Sequence, residues 1–235
     1  MKKPGLRFPL FCYLAVAAGF LASVLSCSTA ATVFSESRPI ERQHCVIIDA
    51  GHGGEDGGAT SCTGILESRI NLQISLRLRD LLHLLGYETR MIRETDTAVN
   101  TDGDTIAGRK LSDLKARVRT VNETENAILI SIHQNMFSDS RYSGAQVFHA
   151  ATGDSKCLAE QMQAALISSL NPGSRRRCKA AEGIYLMEHI QCTGVLVECG
   201  FLSNPEEEAK LRSHEYQTQL CCVIGSALNQ YLSNT

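Results

Sequence analysis

No Cys-x-x-Cys pair occurs in the 235 residues, although there are ten cysteines. That absence argues against a thiolate zinc site of the finger or ribbon type. A basic excess is also missing. Beyond residue 26 the chain holds 20 basic and 25 acidic residues, a net charge near −5, which argues against nucleic acid as a partner. No internal repeat and no second hydrophobic core are visible. Apolar residues make up 43% of the chain, enough for one compact domain of roughly 190 residues with an N-terminal appendage.

That appendage reads as a targeting segment. Lys2, Lys3 and Arg7 precede an apolar run from Phe8 to Leu25, and the small residues Ser26, Ser28, Ala30 and Ala31 follow. A basic start, a short apolar core and small residues are what signal peptidases accept, and the run is marginal for a transmembrane helix. Residues 1–26 are therefore expected to be a signal peptide. The second reading is a lipid anchor on Cys27, because Val24-Leu25-Ser26-Cys27 loosely resembles a lipoprotein box; the third is an uncleaved membrane anchor. In each case the domain works outside the cytoplasm, membrane contact is confined to this segment, and disulfides become possible. Residues 27–44 are polar and mixed and read as a linker, and residues 45–233 as the folded domain.

From Cys45 onward, strand and helix patterns alternate. Cys45–Ile48, Tyr87–Ile92, Ala127–Ile132, Gly144–His149 and Gly194–Cys199 read as strands. AILISI and GVLVEC are nearly continuous apolar runs, as central strands covered on both faces require. Apolar residues recur at helical spacing over Glu67–Leu85, Lys110–Val121, Cys157–Leu170 and Glu215–Tyr231. Asp96–Gly108 is polar and reads as a loop, Ile184–Met187 as a short strand, and Asn204-Pro205 as a helix start. Cys221 and Cys222 both read as small core residues. The pattern implies a single α/β domain with a mostly parallel or mixed central sheet flanked by helices.

Four polar residues end or interrupt the apolar strands or open a helix. His52 follows the first strand inside the turn AGHGG, Glu67 opens the first helix, His133 follows AILISI, and Glu198 lies within GVLVEC. In an open α/β sheet the C-terminal strand ends share one crevice, so residues far apart in sequence can meet there. Two histidines and a carboxylate make an open catalytic zinc site. A further carboxylate off the metal can carry a proton. A glutamate inside a buried strand is costly without a partner or a task, which singles out Glu198. Asp49 can orient a ligand histidine or hold a turn. His149 can line the cleft or lie outside it. Arg175-Arg176-Arg177 can attract anionic polymers or be a solvated loop.

The blocks VIIDAGHGGEDGGA, GILESRINL, ISIHQN and GVLVECGFLSNPEE resemble, in order and spacing, the zinc-dependent N-acetylmuramoyl-L-alanine amidases of the amidase-3 family over roughly residues 45–232. KLSDLKARVRTVNE and SRYSGAQVFHA resemble the germination-specific, spore-cortex branch. The resemblance implies one Zn2+ per chain on His52, Glu67 and His133, with Glu198 as the catalytic glutamate. It implies hydrolysis of the amide joining the lactyl group of N-acetylmuramic acid to L-alanine in peptidoglycan, and leaves room for an activating or zinc-loading partner protein. About ten residues separate His133 from Gly144, too few for the helical plug that some members carry. A zinc peptidase or deacetylase acting on wall material would use the same ligand set. A non-catalytic wall-binding protein is expected to have lost Glu198 or a ligand.

Overall fold

The near-continuous apolar runs do become the centre of the sheet. In the computed structural model, which describes residues 44–234, the strands are β1 (Cys45–Ala50), β2 (Glu88–Met91), β3 (Ala127–Asn135), β4 (Gln146–His149), β5 (Lys179–Ala180) and β6 (Thr193–Phe201). They form one mixed sheet in the order β2-β1-β3-β6-β4-β5. β1 pairs in parallel with β2 and β3, and β3 pairs in parallel with β6. β4 runs antiparallel to β6 and carries β5 parallel to itself. The segment of residues 1–43, and with it the expectations for the signal peptide and Cys27, lies outside the described residues. No helix among those described is long and apolar enough to cross a membrane.

The helices are α1 (Glu67–Leu84), α2 (Ile106–Asn122), α3 (Ser155–Leu170), α4 (Tyr185–His189), α5 (Pro205–Leu211) and α6 (His214–Ser233). Alternate residues of a strand face opposite sides of a sheet, and the two core layers sort accordingly. Val46, Ile48, Ile130, Ile132, Val195 and Val197 face one side, where Ile70, Ile74 and Leu78 of α1, Met162 of α3 and Ile224 of α6 cover them. Ile47, Leu129 and Leu196 face the other, against Val121 of α2 and Leu186, Met187 and Ile190 at α4. These two layers make the described residues a single α/β domain.

Three local expectations are corrected. Ile184–Met187 is not a strand: Tyr185–His189 forms a helical turn, and the strand of this region is the two-residue β5. Gly183 turns the chain with φ 73°, and Glu188 accepts from its N–H at 2.6 Å. A short apolar run cannot be assigned by periodicity alone. The α2 helix starts at Ile106 rather than Lys110, because the Thr105 side chain caps it by accepting from Gly108 N at 3.0 Å. Of the cysteine pair, Cys221 is core but Cys222 is exposed, as expected of neighbours set about 100° apart around a helix. The eight cysteines of the described residues are all free thiols.

Candidate metal centre and catalytic cleft

The C-terminal ends of β1, β3 and β6 lie side by side, and the sequence's polar residues gather there. His133 of β3 sits directly opposite Glu198 of β6 in the strand ladder. His52 follows β1 in a turn where its own φ is 63°, a conformation that costs a non-glycine residue energy and persists where the surroundings enforce it. Glu67 is the first residue of α1, whose partial positive end favours its charge.

The Glu67 carboxylate is surrounded by five polar groups. Oε1 accepts from Asn71 Nδ2 and Gln134 N and lies beside His133 Nδ1, each at 3.1 Å. Oε2 accepts from Ala59 N at 3.0 Å and lies 3.4 Å from His52 Nε2. One ligand atom from each of His52, Glu67 and His133 falls within 4.8 Å of the others, so the three side chains form a group able to hold a metal ion. The electrostatics agree. Burial alone would lower the His52 pKa, but hydrogen bonds to Asp56 and Glu67 outweigh it and raise it to about 9. Burial alone would raise the Glu67 pKa, but His133 and His52 hold it well below the usual carboxylate range. A site that favours positive charge on His52 is one where a cation can replace a proton.

Two glycines leave the space this needs. A Cβ on Gly51 would lie 2.2 Å from His133 Nε2, and one on Gly58, whose φ is 68°, would lie 2.6 Å from Glu67 Oε2 and 2.7 Å from His52 Cδ2. No real side chain fits at either position without moving a member of the group.

Glu198 keeps part of its side chain open to solvent, yet its Oε2 is enclosed and has no hydrogen-bond partner. Burial pushes its pKa up to about 7; Glu67 adds to the rise, and His133 and His52 oppose it. An unsatisfied buried carboxylate oxygen beside a group able to hold a metal is unlike a structural glutamate, whose buried oxygens are hydrogen-bonded. Beside the turn, a cavity of about 180 Å³ opens towards α2, with Asp56, Asn100, Ile106, Arg109 and Lys110 in its wall.

Sequence reasoning missed what holds the turn in place. The carbonyls at the end of β1 are gripped by two buried arginines. Arg93 donates to Ala50 O (2.8 Å), Gly51 O (3.0 Å), Ser68 O (2.9 Å) and Thr95 O (2.9 Å). Arg117 donates to Ala50 O (3.0 Å) and His52 O (2.7 Å), and to the carboxylates of Asp49 (2.5 Å) and Asp113 (2.6 Å). The signal for Arg117 was present: it lies on the same helix face as Leu114, Val118 and Val121, where a charge is expensive unless paired.

Asp49, read from the sequence as either orienting a ligand histidine or holding a turn, does not meet His52. Its carboxylate accepts from Arg117 and, at 2.7 Å, from Ser131 Oγ. Burial alone would raise its pKa, but Arg117, His133 and Ser131 hold it below the ordinary value. The side chain that meets His52 is Asp56, with Oδ2 2.9 Å from Nδ1. His149 is not in the cleft: it pairs with Val195, three registers from Glu198 towards the far end of β6. Of the three arginines, Arg176 donates to Ser143 O at 3.2 and 3.1 Å and lies over the Phe201 ring, whereas Arg175 and Arg177 are exposed.

Known proteins match both the sequence and this architecture. The family model described as N-acetylmuramoyl-L-alanine amidase, Amidase_3, matches residues 46–230. The germination-specific N-acetylmuramoyl-L-alanine amidase of Bacillus subtilis (strain 168) is 35% identical over 190 residues, covering 80% of this chain and 79% of its own. The CwlD amidase of Clostridioides difficile, solved in complex with the GerS lipoprotein, superposes with a TM-score of 0.78 at 34% identity, covering 81% of this chain and 99% of that one. An N-acetylmuramoyl-L-alanine amidase from Clostridium difficile 630 gives a TM-score of 0.71 at 28% identity, covering 83% and 100%.

Proposed function

This chain belongs to the Amidase_3 family of N-acetylmuramoyl-L-alanine amidases, and from that premise we propose that it cleaves the amide between the lactyl group of N-acetylmuramic acid and L-alanine in peptidoglycan. The observation that carries the proposal is the meeting, at the C-terminal ends of the inner strands, of a His-Glu-His group with a carboxylate that has an enclosed, unpartnered oxygen. His52, Glu67 and His133 would hold one Zn2+. Two neutral imidazoles and a carboxylate leave a coordination position free, the pattern of hydrolytic rather than structural zinc. When bound, zinc polarises a carbonyl and brings the pKa of water to about 7.

The chain's own residues do the rest. Glu67, fixed by Asn71, Gln134 N and Ala59 N, keeps the two histidine rings in place, with centroids 4.9 Å apart. Glu198 takes the proton of the attacking water on its unpartnered oxygen. The water oxygen bonds to the lactyl carbonyl carbon, the amide C–N bond breaks, and Glu198 passes the proton to the departing alanine nitrogen. The products are a lactyl carboxylate on the glycan and a stem peptide with a free amine. A pKa of about 7 suits a group that accepts and returns one proton at neutral pH.

The likeness to a germination-specific relative supports cortex peptidoglycan as the natural substrate. The GerS complex of the Clostridioides difficile relative supports a partner protein that assists this chain, and the wall substrate supports an exported protein. Incubation of the purified protein with cortex or vegetative peptidoglycan, with and without zinc, tests the activity. Zinc-dependent release of stem peptides beginning with L-alanine, seen by mass spectrometry, is the expected result. Release of acetate or of shorter peptides would make it a deacetylase or a peptidase instead.

The space left by Gly51 gives a further expectation. Gly51→Ala places a methyl group against His133 Nε2 and is expected to weaken zinc binding at least about 10-fold. Competition with a chromophoric chelator would measure this, and an affinity equal to wild type would refute it.

A further inference from the structure

Asp56 lies four residues past His52 on the same turn, and its carboxylate is engaged on three sides. Oδ2 faces His52 Nδ1 at 2.9 Å and Lys110 Nζ of α2 at 3.1 Å. Oδ1 accepts from Gly58 N at 3.2 Å, and the turn is closed by Gly53 N donating to Asp56 O at 2.8 Å. A neutral imidazole carries its proton on one nitrogen and a lone pair on the other. An ionised carboxylate only accepts, so it fixes the proton on Nδ1 and leaves the Nε2 lone pair facing Glu67 Oε2, 3.4 Å away. His133 has the opposite orientation. Its Nδ1 faces Glu67 Oε1 at 3.1 Å, and its Nε2 edge lies against Gly51. Among the described residues, no carboxylate is hydrogen-bonded behind it.

We infer that Asp56, steadied by Lys110, is a positioning residue for the metal. It selects the tautomer of His52 and strengthens Nε2 as a donor, so metal affinity depends on a Lys110–Asp56–His52 chain that reaches in from α2. The inference rests on the zinc reading of the site. It also explains an asymmetry between the two histidines: each offers a different ring nitrogen, and one alone is backed by a carboxylate.

Asp56→Asn tests the idea because it separates tautomer control from the shape of the turn. The amide oxygen can still accept from Gly58 N, so the turn keeps its hydrogen bond. The amide NH2 then stands where Oδ2 was and presents a donor to Nδ1. That favours the tautomer with its proton on Nε2, the wrong one for a ligand. Zinc affinity, measured by chelator competition at fixed pH, is expected to fall about 10- to 100-fold. An affinity within about 2-fold of wild type would overturn the inference, since a residue that merely pins the turn is replaced by asparagine without loss.

A second measurement needs no variant. Nitrogen-15 NMR of the zinc-loaded wild-type protein is expected to show His52 protonated at Nδ1 and metal-bound at Nε2, with His133 bound through Nδ1. His52 bound through Nδ1 would refute the inference. A wild-type protein that binds no zinc at all would refute the zinc reading and the inference with it, an outcome distinct from a normal zinc site indifferent to Asp56.

Discussion

Glu198→Gln is expected to bind zinc as tightly as wild type and to lose about 10²- to 10⁴-fold in turnover on peptidoglycan. The variant is close to isosteric, and Glu198 is not one of the three side chains whose ligand atoms converge. Its Oε2 has no hydrogen bond to lose. What the amide removes is the capacity to accept a proton and give it back. The same substitution removes a group whose pKa is raised to about 7, so the acidic limb of the pH–rate profile should go with it. Zinc content by elemental analysis and turnover by product release check the two halves separately. Near-normal turnover with zinc bound would eliminate Glu198 as the base. Loss of zinc would make it a structural support instead.

The second large effect is on stability. Arg117→Met removes the one cation among the described residues that is hydrogen-bonded to Asp49, which is buried and otherwise retains Ser131. Breaking a buried ion pair by deleting one partner leaves an uncompensated charge and costs about 3–5 kcal/mol. For a domain of this size that lowers the melting temperature by on the order of 10 °C. The sign of the pH dependence follows from Asp49. Its folded pKa lies below the unfolded value of about 3.9, so the pair's contribution is complete above about pH 4 and is lost as pH falls through the lower folded value. Wild type and variant should therefore differ most near neutrality and converge in acid. Denaturant titrations at several pH values would measure this, and a gap that widens below pH 4 would contradict the account. Because Arg117 also holds Ala50 O and His52 O, the variant should bind zinc more weakly even where it remains folded.

What was legible in the sequence follows from how many independent signals each feature had. β1, β3 and β6 were readable because a strand buried on both faces must be apolar throughout. His133 and Glu198 stood out because they break that rule. That they share a crevice followed from the expectation that strand ends converge; the pairing that sets them directly opposite each other comes from the sheet order. Tyr185–His189 was not readable: a short apolar run satisfies either periodicity, and what makes it helical is the Gly183 turn and the pocket under α2 that Leu186 and Met187 fill. The role of Asp56, which the sequence did not single out, was hidden for another reason. Asp49 is nearer in sequence to His52, but strand alternation points it, with Ile47, at the α2 side, where Arg117 waits. Asp56 reaches the ring because the chain doubles back after His52. Sequence distance measures contour length, and at a tight turn the two part company.

The pairing of His133 with Glu198 across β3 and β6 has a consequence for how the protein can vary. The strands that carry these two residues are lattice neighbours, about 4.8 Å apart, so their spacing is set by the sheet and not by a loop. Loops that carry none of the converging residues can therefore be lengthened, charged or exchanged to suit a different wall polymer or a different partner while that pair keeps its place. A single residue added or removed within β6 ahead of Glu198 is another matter. It inverts the phase of the strand and delivers the carboxylate to the opposite face, among the side chains of α1 and α6. The protein's reaction is thus insulated from change where surfaces meet the world and brittle in a stretch of a few residues that touches none of it.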